Sequence, residues 1–204
     1  MNHVRWPQNG LLAQWILDQF ERGYLGHAID VGASDGMSIN TTWALEKVHH
    51  WTVLSVEANP EFLPMLLKER AFVASCACGN EPGDAVLHVH EQHPEAFTSL
   101  RPQPRPDLHP IGDMTWKKIP VQVRTVDQLL ASWEFPKLDA LCVDVEGTEL
   151  DVLKGCDLAR WKPRVVVSEC WDKVGPVDLY LESFGYVKTA RCVHNDVFIL
   201  PEKF

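Results

Sequence analysis

A chain of 204 residues that is 46% apolar can build one sizeable core and is short for two. Its formal net charge of −9 argues against a nucleic-acid partner, because phosphates would be repelled over a screening length of about 8 Å. No apolar run approaches the roughly 20 residues of a membrane helix, and the opening MNHVRWPQNG lacks a signal-peptide profile, so a soluble, cytoplasmic protein with no membrane partner is expected.

Apolar residues at helical spacing over 11–24, stopped at Gly26, predict a helix in an N-terminal segment, 1–25, of a single domain spanning 1–204. Then come a strand over 28–31, a helix over 38–48, a strand over 52–57, a helix over 60–69 and a strand over 71–75. Such alternation predicts parallel strands joined by right-handed crossovers, with helices on both sheet faces.

An excursion follows over 84–124. Short alternating strands at 85–90 and 119–124 flank RPQPRPDLHPIGD, whose prolines keep it out of regular structure. This stretch, with His109, Arg101, Arg105 and nearby Trp116, is the expected substrate lid; His88 and His90 are expected to meet solvent. Thr125 and Gln128 form a capping box for a helix over 126–133, and the nearly continuous apolar run 138–145 is a buried strand. A helix over 148–154 ends at Gly155, a strand occupies 164–169, and Pro176 and Gly185 bracket the next helix. Segments 186–192 and 196–200 are joined so briefly that they should pair antiparallel. The six cysteines are scattered and mostly within apolar runs, which predicts buried thiols; Cys76 and Cys78 lack a second pair at zinc spacing.

The segment AIDVGASDG, 28–36, ends the first strand in an acidic glycine turn. Ligands of open parallel sheets sit at such strand ends, and Gly32 and Gly36 let backbone and ligand approach closely. Amides opening the next helix favour an anionic group. The spacing is G-x-x-x-G, not that of a dinucleotide pyrophosphate site, which disfavours a nicotinamide-dependent oxidoreductase. Asp30 and Asp35 suit an ammonium group, and Glu57, ending the second strand, can take both hydroxyls of a ribose. Ribose, ammonium and carboxylate together describe S-adenosylmethionine.

IDVGASDGMS, VLSVEANPEF, CACG, RTVDQLL, LCVDVEGTELDVLKG and NDVFIL, in this order, resemble the FkbM family of class I S-adenosylmethionine-dependent methyltransferases from residue 26 onward. The resemblance implies a Rossmann-like seven-stranded, mostly parallel sheet with an antiparallel last strand. It also implies methyl transfer, mostly to hydroxyls of sugars or natural products, hence a small-molecule or glycan acceptor. Position by position, Asp30, Gly32, Ala33, Asp35, Gly36 and Ser38 would hold the methionine part, Glu57 and Ala58 the ribose, and Cys76 and Ala77 the adenine edge.

Asp144 and Glu146 end the fourth core strand beside the expected cofactor and are the first candidates for assisting transfer; His194 overhangs the same rim. Because an aspartate is a poor base for an alcohol, a magnesium or manganese ion on Asp144 and Glu169 is a further expectation. Each has a structural alternative: Glu146 as a helix cap, Glu169 as a solvated strand end, His194 as a turn residue. Competing functions are N-methylation of a peptide side chain and a non-catalytic S-adenosylmethionine-binding partner protein.

Overall fold

The computed structural model describes residues 7–38, 40–94, 97–102, 115–171 and 174–202. Strands β1 (His27–Val31), β2 (Thr52–Glu57) and β3 (Phe72–Ser75) run parallel on one side, and β8 (Ala140–Val143) and β9 (Val165–Glu169) continue parallel on the other. With β10 (Val187–Cys192) and β11 (Asn195–Ile199) the sheet has seven strands in the order β10-β11-β9-β8-β1-β2-β3. β11 is antiparallel to both β9 and β10, as the short connection requires.

Both faces of the central strands are covered, which is why they read as unbroken apolar runs. On one face Ile29, Leu54, Leu141 and Val166 pack with Leu129 and Leu130 of α4 (Val126–Ser132), Val152 and Leu153 of α5 (Glu149–Lys154) and Leu181 of α7 (Pro176–Ser183). On the other, Ala28, Val53, Ala140 and Val165 meet Leu12 and Ile16 of α1 (Pro7–Leu17) and Leu45 of α2 (Trp43–Lys47). The capping box at Thr125 and Gln128 is formed, with the two reciprocal bonds at 3.1 and 3.2 Å. A short α6 (Leu158–Trp161), which the apolar pattern does not signal, starts where Asp157 accepts from the Arg160 amide.

Two helices are shorter than their patterns. α1 stops at Leu17; the rest of the stripe stays apolar because Phe20 stacks on Tyr24 at 4.8 Å and meets Trp51 edge-on, while Gly23, at φ +84°, turns the chain so that the Tyr24 hydroxyl donates to Asp139. Within 38–48 only Trp43–Lys47 is helical. Asn40 and Thr42 instead turn their side chains inward onto Asp30, and the Asn40 Oδ1 takes the Thr42 amide, local bonds that compete with a helix. α3 (Leu63–Glu69) lies within the expected span.

The excursion is a second, four-stranded sheet, β4-β7-β5-β6. β5 (Gly83–His90) and β7 (Trp116–Arg124) pair antiparallel from Gly83↔Val123 to His90↔Trp116, with β6 (Thr98–Ser99) and β4 (Ala77–Cys78) on the flanks. His90 does not meet solvent. The turn after β5 folds over its ring, Nδ1 accepts from the amides of Gln92 and His93, and His93, Phe97 and Trp116 surround it. The central part of the expected lid, 103–114 with Arg105 and His109, lies outside the described residues. Among the described residues no helix is long and apolar enough to cross a membrane.

The sheet order reverses between β1 and β8, and there the backbone of one strand end touches the other. Gly32 has φ +87°, and a Cβ on it would lie 1.7 Å from the Asp144 carbonyl oxygen. Gly32→Ala should therefore destabilise the fold by more than about 2 kcal/mol in chemical denaturation, from left-handed strain and forced separation of the strand ends. Gly10→Ala, in α1 with open space around it, should instead stabilise by about 0.5–1 kcal/mol.

Candidate active site

The turn after β1 is pinned from both sides: the Gly32 and Ala33 amides donate to the Val56 carbonyl at 3.0 and 3.1 Å, and the Asp144 amide donates to Val31 at 2.9 Å. The glycine at 32 thus serves the approach of two strand ends. Gly36, at φ +80°, serves a second approach, since a Cβ there would meet Leu66 and Arg70 of the α3 region at 2.6 and 2.8 Å. Over this turn lies a cavity of about 350 Å³, within the size range of small-ligand pockets. Of the residues singled out from sequence, Gly32, Asp35, Ser38, Glu57, Ala58, Cys76, Ala77, Asp144 and Glu146 line it.

Asp30, Ala33 and Gly36 lie behind that surface. Asp30, 5% exposed, accepts from Asn40 Nδ2 at 2.8 Å and Thr42 Oγ1 at 2.7 Å. Arg70, equally buried, donates to the Gly36 carbonyl, Asn40 Oδ1 and Thr42 Oγ1, and pairs with Glu46. Asp30 is a brace for the turn, not part of the cavity wall. The amides of Met37 and Ser38, expected as free helix-opening donors, are taken by Asp35 Oδ1 at 2.9 and 2.8 Å.

Glu57 faces the turn. Its Oε2 accepts from the Ser34 amide at 2.8 Å and its Oε1 from the Asn59 amide at 2.6 Å. Ser34 holds φ +51° to present that amide, a conformation uncommon outside glycine. A carboxylate has about four lone-pair sites, so acceptor capacity remains beside these amides for a hydroxyl donor. Burial raises the Glu57 pKa, and amides of Asn59, Ser34 and Ala58 pull it back.

Beyond Glu57 the wall belongs to the small sheet and its turns: Cys76, Ala77, Cys78, Leu87, Pro94 and Thr98. Sequence reasoning placed the excursion over the acceptor as a lid. It did not foresee that the β5 strand itself, through Leu87, closes the cavity, because strand alternation does not reveal which neighbour an apolar face meets. A hydrogen bond from Cys78 lowers the Cys76 thiol pKa and raises that of Cys78; all six cysteines are free.

The opposite wall is acidic. After β8 the chain turns sharply, with Glu146 at φ +57° and Gly147 at φ +104°. Glu149, not identified from sequence, shapes this turn by accepting from the Gly147 amide at 2.8 Å and the Val145 amide at 3.3 Å. An acid three residues after the strand-end acid was the available signal. Asp144 opens into the cavity, yet protein surrounds its other sides; burial, then the charges of Glu149 and Asp30, push its pKa up to about 7, an effect that a ligand excluding water would complete. Glu169 is no solvated strand end: it is buried, and burial with the charges of Asp144, Glu146 and Glu149 pushes it up to about 11. His194 does not line the cavity; its ring stacks on Trp171 at 3.4 Å.

The fold is shared with known proteins. Over 96% of the chain, the fold superposes on 48% of methyltransferase FkbM from Methylobacillus flagellatus with a TM-score of 0.59 at 16% identity. It superposes on 69% of the METTL16 methyltransferase domain with a TM-score of 0.55 at 12% identity. A stretch of 54 residues, 24% of this chain and 21% of the relative, is 44% identical to methyltransferase sdnD of Sordaria araneosa. The chain thus spans about half of the FkbM structure's length and aligns with about a fifth of sdnD. Residues 30–188, which carry both walls of the cavity, match the methyltransferase FkbM domain, and the chain belongs to that family.

Proposed function

We propose that the chain is an S-adenosylmethionine-dependent methyltransferase whose acceptor is a hydroxyl of a sugar or natural product. The observation that carries this reading is the pairing of Glu57, its two oxygens oriented by the Ser34 and Asn59 amides, and the close-packed 32–34 turn at the floor of one cavity. In this reading Glu57 takes the ribose hydroxyls and the apolar wall at Cys76 and Ala77 receives the adenine. The methionine ammonium lies toward the carboxylate of Asp35. A structural relative of the chain, the N-terminal domain of human METTL16, is known in complex with SAH (TM-score 0.50, 12% identity), so a protein of this fold binds such a nucleoside.

Transfer breaks the bond between sulfur and the methyl carbon and forms one between that carbon and the acceptor oxygen. The sulfonium becomes a neutral thioether, and the hydroxyl proton is released. Alignment of oxygen, carbon and sulfur contributes the larger share, about 7–11 kcal/mol, against roughly 3–5 kcal/mol for a group assisting proton removal. Asp144 and Glu146 are suited to orient the hydroxyl, since they face the cavity from the end opposite the 76–78 wall. Their retention disfavours a scaffold that only binds the cofactor. The DVEG turn after β8 also differs from the Asn/Asp-Pro-Pro-aromatic turn common in nucleobase N-methyltransferases.

Calorimetry should detect S-adenosylhomocysteine at micromolar or tighter affinity, and Glu57→Ala should weaken it by about 100-fold or more, the loss of two hydrogen bonds to a charged acceptor. Absence of heat with both S-adenosylmethionine and S-adenosylhomocysteine would end this reading. Once labelled-cofactor screening has identified an acceptor, Asp144→Asn should lower turnover by about 10²-fold or more while nucleoside affinity changes less than about fivefold. Equal losses would make Asp144 a cofactor-positioning group instead.

A further inference from the structure

The ends of β8 and β9 carry a cluster whose charge the cofactor does not account for. One oxygen from each of Asp144, Glu146 and Glu169 lies within 4.8 Å of the others. Glu169 is only 6% exposed, and its Oε2 has no hydrogen-bond partner among the described residues. The Trp171 ring, two residues on, stacks on His194, and a Glu169 oxygen lies within 4.8 Å of both acidic neighbours. A buried carboxylate oxygen with nothing to bind is expensive to maintain, and placing two further carboxylates beside it increases that cost.

A second acidic group in the same part of the fold provides the contrast. Asp178 and Asp196, near Cys170, also stand close together and are buried. There Lys188 bridges both acids and Arg191 lies 3.6 Å from Asp196, so the protein supplies its own compensating charge. At the strand-end cluster, by contrast, the buried Glu169 Oε2 has no hydrogen-bond partner among the described residues.

We propose that Asp144, Glu146 and Glu169 form a site for a divalent cation of the magnesium or manganese class. Three carboxylate oxygens are hard donors suited to such ions. In an octahedral shell at about 2.1 Å, ligand oxygens stand about 3.0 to 4.2 Å apart, so oxygens already within 4.8 Å need only small rotations to close on an ion. Asp144 opens into the cavity, which leaves the remaining coordination positions on the acceptor side. If the methyl-transfer reading holds, those positions meet oxygens of the acceptor; the cation site itself does not require that reading.

Titration of the purified chain with Mn²⁺, following loss of the free-ion paramagnetic resonance signal, tests the site directly. One ion per chain is expected, displaced by excess Mg²⁺, with affinity lowered at least about tenfold by Glu169→Gln and by Asp144→Asn. Should Glu169→Gln fail to fold by circular dichroism, Asp144→Asn, on the cavity side, reads the same site. No bound Mn²⁺ at millimolar concentration, or affinity unchanged in the folded variants, would overturn the proposal. S-adenosylhomocysteine calorimetry on the same preparations separates the two readings. Mn²⁺ bound without the nucleoside would leave the cation site standing and the methyl-transfer reading failed, and nucleoside bound without Mn²⁺ would do the reverse.

Discussion

The contact between the Gly32 backbone and the Asp144 carbonyl governs the rest of the site. Any side chain at 32 would wedge β1 and β8 apart where the sheet changes direction, and a ligand crevice exists there because helices leave those strand ends on opposite faces. With the strand ends touching, the 32–34 turn is driven toward β2, where Val56 and Glu57 receive its amides. The same contact brings Asp144 to the edge of the cavity that Glu57 floors. The Glu57 end and the acidic end of the cavity are therefore set by one close approach of backbone, stiffened from behind by the Asp30, Asn40, Thr42 and Arg70 network.

Charge is the second organising quantity. Glu57, Asp144, Glu149 and Glu169 all have raised pKa values, with burial as the leading cause in each. The protein treats them differently. Glu57 and Glu149 each accept two backbone amides, so they are structural acceptors with capacity to spare. Asp144 and Glu169 face each other with less protein compensation, which makes their end of the cavity the place where a positive group is most strongly drawn.

Much of this is legible in the amino-acid sequence. Strand and helix order, the antiparallel last pair and the turn at 28–36 follow from hydrophobic period and from glycine placement, and the buried strands announce themselves by having no polar face. What escaped has a common physical origin. Asp30 looks like a ligand because an acid at a strand end usually faces out; only the inward rotation of Asn40 and Thr42, which also shortened the helix after the turn, shows that it is claimed from behind. His90 alternates with exposed Val86 yet is buried, since a turn three residues on covers it. Ser34, Leu87 and Glu149 matter through long-range or backbone geometry that local pattern does not encode.

The small sheet leaves and rejoins the main fold at a single clasp, where Ala77 and Cys78 lie in register with Val123 and Arg124 and the Gly79 amide donates to Arg124. Everything between is a closed detour whose ends are already tied together. Lengthening or shortening such a detour changes loop-closure entropy only logarithmically, so the main sheet hardly senses its size. One flank of the cavity can therefore be rebuilt wholesale while the cradle at 32–34 and Glu57 keeps its shape, a division of labour that would let a common scaffold serve many ligands.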